Sequence, residues 1–374
     1  MFPYAFWTRY LAVFDQVQVM ARVREVPLPS PGWKEASGEN VSFAAVPYYL
    51  GPWQYLWRRG AVNRAVRSAL KTEAAVILRV PSRIGAHLER WLLHSRRPYG
   101  VEVVGDPYDV FAPGAFRHPL RPFFRWWFPR RLKSQCRRAC AAAYVTEEAL
   151  QRRYPCPAYT VGVSDVELSP AAFVPGPRPV RRGSGPYTLI TVGSLNHFYK
   201  APDVLIEAVG GCVREDWDLR LVLVGDGKYR TELESRAAAL GLDARVRFAG
   251  QLPAGEAVRE ELDQADLFVL PSRQEGLPRA MVEAMARGLP CIGSTVGGIP
   301  ELLPPEDLVP PGDVQALMSK LVEVLGDPER LARVAARNLE KAGAYRDEVL
   351  EARRRAFYQR VKEETEAWRK TRDH

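Results

Sequence analysis

Residues 187–345 repeat one pattern: a short, mainly apolar run, a turn, then a helix. "YTLITVGSL" and "LRLVLVGDG" read as strands ending in glycine turns. "PDVLIEAV" reads as a helix opened by Pro202, and "KYRTELESRAAALGL" as one closed by Gly241. The series continues as "RVRFAGQL" (strand), "AVREELDQA" (helix), "DLFVLPS" (strand), "RAMVEAMARG" (helix), "PCIGST" (strand) and "DVQALMSKLVEVLGD" (helix). Strands without polar alternation must be covered on both faces, which with intervening helices leaves a parallel, doubly wound α/β sheet.

Before this region, "AAFVPGPRPVRRGSGP" is too rich in proline and glycine for a helix or central strand, so residues 169–186 are expected to be a linker. Residues 1–168 give noisier text of the same class, with strand-like "QVQVMARV", "VSFAAVPYY", "AAVILRVP", "GVEVVGDP" and "AAAYVT". That half opens on helical text, "YAFWTRYLAVF", with no initial strand and glycine-rich turn. The expectation is that a first βα unit precedes Met1. Residues 346–374 read as one long charged helix. A chain of 374 residues, at roughly 150 per domain, is long enough for two domains.

Charge is placed unevenly. Residues 1–170 hold 24 Lys and Arg against 13 Asp and Glu, whereas the remainder is nearly balanced. The densest stretch, residues 115–140, has eight basic residues, no acidic one, and Trp126 and Trp127. Such text reads either as a solvated basic helix or as an anionic membrane surface site. No nucleic-acid-binding module accompanies it. No run of about 18 apolar residues occurs. The five cysteines are scattered without a C-x-x-C pair, so neither a disulfide framework nor a structural zinc is expected. A cytoplasmic protein, peripheral at the inner face of the membrane, fits these features.

The chemistry is concentrated in "LPSRQEGLPRAMVEAMARGLPCIGSTVGGIPELL", residues 270–303. Glu275 falls in the loop after a strand, and Glu283 on the second turn of the next helix, which Pro278 opens. In an open parallel sheet, ligands bind beyond the carboxyl ends of the strands, where both carboxylates would lie. A carboxylate accepts hydrogen bonds from paired hydroxyls, as a sugar or ribose offers. Free amides near Pro278–Ala280 suit an anion. A second segment, "VGSLNHFYKAPDVLIEA" at 192–208, places Gly193 at a strand end and Lys200 before a helix, where it can neutralise phosphate. "VGDGKYR", with Gly225, lacks the third glycine of a dinucleotide fingerprint and reads as a turn lining the crevice.

Together, "PSRQEGLPRAMVEAMARGLPCI" with its E-x7-E spacing, "VGSLNHFYKAPDVLIEA", "LVLVGDG", "VRFAGQL" and "STVGGIPELL" resemble the donor-binding half of the family 4 retaining glycosyltransferases. The resemblance implies the GT-B fold: two Rossmann-like doubly wound α/β domains facing each other across a cleft, with a C-terminal crossover helix. Residues 1–168 would bind the acceptor and residues 187–345 a nucleotide sugar. By the same resemblance, Glu275 holds hydroxyls of the transferred sugar, with Gly276, Leu277, Pro278, Arg279 and Ala280 around sugar and diphosphate. Glu283 would bind the ribose, and Lys200 would clamp the diphosphate. Gly193, Ser194 and Gly225 would line the site, with Gly250 and Leu252 near the base. Many members have an arginine where this chain has Ser194, which leaves Lys200 with less help unless Arg279 substitutes. The implied reaction is retaining transfer from a UDP- or GDP-linked sugar to a saccharide or lipid-linked acceptor, with neither cofactor nor metal. On the acceptor side, Asp106 is the candidate, and His118 reads more simply as a packing or solvated histidine. Two other readings stay open: a nucleotide-sugar epimerase on the same fold, and a non-catalytic partner subunit.

Overall fold

A computed structural model describes residues 2–28, 33–70, 72–111, 118–166, 168–178 and 185–372. Met1, residues 115–117 of the basic stretch and residues 179–184 of the expected linker lie outside the described residues.

The second half is built on six parallel strands: β7 (Tyr187–Val192), β8 (Leu219–Val224), β9 (Val246–Gly250), β10 (Leu267–Leu270), β11 (Cys291–Ser294) and β12 (Leu308–Val309). They follow β1 to β6 of the first half, given below, and their order across the sheet is β12-β11-β10-β7-β8-β9. Winding runs outward from β7 in one direction and, after the return to β10, outward in the other. The order therefore reverses between β7 and β10, and the loops leaving these two strands diverge around a crevice. The apolar strands are explained by packing on both faces. Leu189 faces a cluster with Leu205, Leu221, Val269 and Leu321, and its neighbour Ile190 faces one with Phe268, Met281 and Leu289.

The first half contains β1 (Val17–Val23), β2 (Val41–Pro47), β3 (Ile77–Val80), β4 (Gly100–Val103), β5 (Ala141–Tyr144) and β6 (Tyr159–Gly162). Strands β3-β4-β5-β6 form a parallel sheet in sequential order, and β1 and β2 pair separately, also in parallel. Strand β6 was not legible as a strand because Tyr159 and Thr160 are exposed and the run is only four residues long. The opening helical turns, residues 4–12, lie against the sheet. Tyr10 donates its hydroxyl to Glu102 of β4 (2.9 and 2.8 Å to the two oxygens) and stacks on Tyr358 at 4.6 Å.

The last helix, Asp347–Lys370, joins the halves through its own apolar positions. Leu350 enters the core around Met281, and Phe357, Tyr358 and Val361 enter a cluster with Ala141, Ala143 and Val163 of the first domain. A second link is polar. The Glu301 carboxylate accepts from the amides of Glu147 (2.5 Å), Glu148 (3.0 Å) and Ala149 (2.6 Å), at the start of the helix Ala149–Arg153. A carboxylate at a helix start meets unpaired N–H groups and the positive end of the helix dipole.

Candidate functional site

The β7 and β10 loops bring Lys200 and Glu275 together. Lys200 ends the short 3-10 turn Phe198–Lys200, and its Nζ lies 2.9 Å from Glu275 Oε2, with both side chains mostly buried. Ser272 Oγ adds a bond to the same oxygen at 3.3 Å. Gly193 makes the lysine's placement possible: a Cβ there would lie 2.2 Å from Lys200 Cδ. Gly193 thus opens room for the lysine stem.

Arg273, which sequence reasoning missed, locks the two loops. Its guanidinium binds both oxygens of Asp203 at 2.7 Å and the Phe198 carbonyl at 3.0 Å, while its amide donates to the Tyr199 carbonyl at 2.7 Å. Bidentate guanidinium–carboxylate pairing fixes orientation as well as distance. Asp203 stands 70 residues earlier, so no local signal could pair the two.

The 275–280 segment is held from behind by glycines of the next loop. The Gly298 amide donates to the Gly276 carbonyl at 2.7 Å. Gly297 has φ +55°, and a Cβ there would sit 1.9 Å from the Glu275 carbonyl oxygen. Gly276 faces open space. Leu277 is buried, and Ala280 and Leu252 pack against the cluster containing Met281. Pro278 caps the helix Arg279–Ala286 without a side-chain hydrogen bond, which leaves its first amides available, and Arg279 is exposed at its first position.

Glu283 lies on that helix, half-buried. Among the described residues its carboxylate makes no hydrogen bond or ion pair. Burial pushes its carboxyl above the usual carboxylate range, against the opposing pull of Arg279 and Arg259. A carboxylate kept partly dry without a partner is costly to the fold and is matched by a ligand that brings hydroxyls.

The remaining crevice residues are turn-forming. Gly225 has φ +137°, and its amide donates to the Gly250 carbonyl at 2.8 Å; a Cβ at Gly225 would meet the Gly193 carbonyl oxygen at 2.0 Å. Ser194 Oγ accepts from the Asn196 amide (3.2 Å) and side chain (3.1 Å).

Asp106 is placed differently. It caps the short helix Pro107–Val110 by accepting from the Tyr108 amide at 2.8 Å, accepts from the Tyr154 hydroxyl at 2.5 Å, and pairs with Arg153. Both its oxygens are engaged by the protein's own donors. His118 Nδ1 accepts from the Leu120 amide at 3.1 Å, a local turn contact. No group of three or more metal-ligating side chains occurs among the described residues.

Residues 186–327 match the family described as Glycosyl transferases group 1. Over 360 residues, 93% of this chain and 89% of the relative, the sequence is 28% identical to Protein CapJ of Staphylococcus aureus. It is 33% identical over 196 residues to the putative colanic acid biosynthesis glycosyltransferase WcaL of Escherichia coli K12, covering 50% of this chain and 47% of that protein. The chain thus spans about half the length of that second relative. Anabaena HepE, solved in complex with UDP and glucose, superposes with a TM-score of 0.59 at 20% identity, covering 85% of each chain. The protein therefore has the GT-B architecture, and residues 186–327 in its second half match the group 1 glycosyl transferases.

Proposed function

We propose that this protein is a retaining, metal-independent glycosyltransferase that moves a sugar from a nucleoside diphosphate sugar to a saccharide acceptor, one carried on a lipid for the cell envelope. The observation that carries this reading is the Lys200–Glu275 pair at the carboxyl ends of the two strands where the sheet order reverses, with Glu283, whose carboxylate has no partner among the described residues, on the helix that follows. Lys200 neutralises the diphosphate and the charge that grows on it as the glycosidic C–O bond breaks. Glu275 holds sugar hydroxyls, and Glu283 accepts from the ribose. The free amides from Gly276 to Ala280 face the diphosphate. The acceptor hydroxyl attacks from the face that the phosphate leaves, and its proton passes to the departing phosphate oxygen. Residues 1–168 bind the acceptor, and residues 187–345 the donor. The UDP in HepE and the colanic acid biosynthesis in the WcaL name support the donor and acceptor classes.

The test is incubation with UDP- and GDP-sugars without acceptor, followed by proton NMR. Slow release of nucleoside diphosphate with the free sugar formed first in the donor's anomeric configuration is expected. First formation of the opposite anomer would exclude retention. An isomerised nucleotide sugar with no nucleotide release would favour the epimerase reading.

A further inference from the structure

Three helices of the first domain lie in contact on one side. The Tyr55 hydroxyl of Gly51–Ala69 bonds His87 Nε2 of Arg83–His94, and Arg131 of Arg121–Arg138 donates to the Ala86 carbonyl at 3.0 Å. The two outer helices meet the middle one at adjacent residues. Neither outer helix contains an acidic residue; the first has four arginines and the second seven basic residues.

These helices also expose their aromatic side chains. Trp53 is 76% and Trp57 91% exposed on one, with Leu50 and Leu56 beside them; Phe123 is 51% and Trp126 52% exposed on the other. Large apolar side chains clustered in water mark a contact site. Tryptophan, apolar with one polar edge, is suited to the headgroup boundary of a bilayer.

Along the second helix lies a groove of about 540 Å³ lined by Arg121, Arg125, Trp126, Arg130 and Lys133, with Tyr108 and Arg153 also lining it. Arg153 is neutralised by Asp106 and Asp109. The other four cations have no ion pair among the described residues, and Arg125 Nε is buried without a hydrogen-bond partner. The Arg125 guanidinium rests 4.0 Å from the centre of the Tyr108 ring, which points it into the groove. Four unpaired cations in one groove repel each other and create a site for an anion.

We propose that this face docks on an anionic bilayer, with Trp53, Trp57, Phe123 and Trp126 entering the headgroup layer and the groove receiving a lipid phosphate. The basis is independent of the donor site, since no residue is shared. A nucleic acid would satisfy the cations but leave the tryptophans of Gly51–Ala69, with Leu50 and Leu56, in water.

Sedimentation of the full chain with vesicles tests this. The protein is expected to bind phosphatidylglycerol-containing vesicles at low salt, to be released by high salt, and to ignore pure phosphatidylcholine. Arg125→Glu with Arg130→Glu should weaken partitioning by about tenfold or more, because each reversal removes a positive charge and adds a negative one near the surface. Trp53→Ser with Trp57→Ser changes only exposed positions and should weaken binding at every salt concentration. Melting curves verify that each variant is folded. Equal binding to neutral vesicles, no binding to anionic ones, or unchanged binding by both double variants would overturn the proposal. So would tight duplex-DNA binding by a protein that does not sediment with lipid.

Discussion

Lys200 Nζ stands 2.9 Å from Glu275 Oε2, across 75 residues of sequence, and ties the loop after β7 to the loop after β10. The contact places a positive charge and a carboxylate at one point of the crevice. Their roles separate by experiment. Glu275→Gln keeps the size of the side chain and should leave UDP or GDP binding within about threefold, because the nucleotide alone lacks the sugar. Transfer should fall by about a hundredfold, the scale of losing one transition-state contact. Paired nucleotide titrations and turnover assays check this.

Gly193→Ala should reproduce part of a lysine deletion without touching the lysine. The new methyl lies 2.2 Å from Lys200 Cδ, and the flexible stem rather than the backbone gives way. We expect weaker nucleoside diphosphate binding, by about tenfold, with little change in melting temperature. Combined with Lys200→Ala, it should add nothing further, as for two changes acting through one contact.

Gly297→Ala acts through backbone. A Cβ 1.9 Å from the Glu275 carbonyl at φ +55° forces the 275–276 segment to move. The cost is expected at about 1–3 kcal/mol of stability, read from denaturant unfolding, together with loss of transfer activity.

The Glu283 carboxyl titrates above the ordinary carboxylate range because it is partly desolvated. A raised folded-state value means that ionised Glu283 is a cost to the fold, relieved as pH falls through that value. Ribose hydroxyls donate best to the ionised form, so nucleotide affinity should fall as pH drops through this raised value. Glu283→Gln should weaken binding near neutral pH and flatten the pH dependence in this range. Titrations at several pH values check both effects.

Glu301 holds three amides of the opposite domain. Glu301→Ala should speed hydrogen exchange at Glu147, Glu148 and Ala149 by about tenfold or more, as charged hydrogen bonds are lost. Exchange across β7 to β11 should stay unchanged.

The second domain was readable because the strands from β7 to β11 are mainly apolar toward both faces of the sheet, and because Pro202, Gly241 and Pro278 mark starts and stops of the connecting helices. The loops bearing Lys200 and Glu275, and the helix bearing Glu283, could be placed because they follow such strands directly. The Lys200–Glu275 and Arg273–Asp203 contacts were not readable, since they join segments 75 and 70 residues apart. Strand β6 escaped because its exposed residues resemble loop text. The capping role of Asp106 escaped because its partners, Arg153 and Tyr154, lie beyond β5. The function of Gly193 was legible only as freedom of backbone, because the side chain that fills its space comes seven residues later.

The most direct test is calorimetric titration of UDP and GDP into the protein, with Lys200→Ala and Glu283→Ala alongside. The account predicts that the parent binds one nucleoside diphosphate at a single site and that each substitution weakens binding by about tenfold or more. A folded protein that binds neither nucleotide, or one whose binding survives both substitutions, would contradict it.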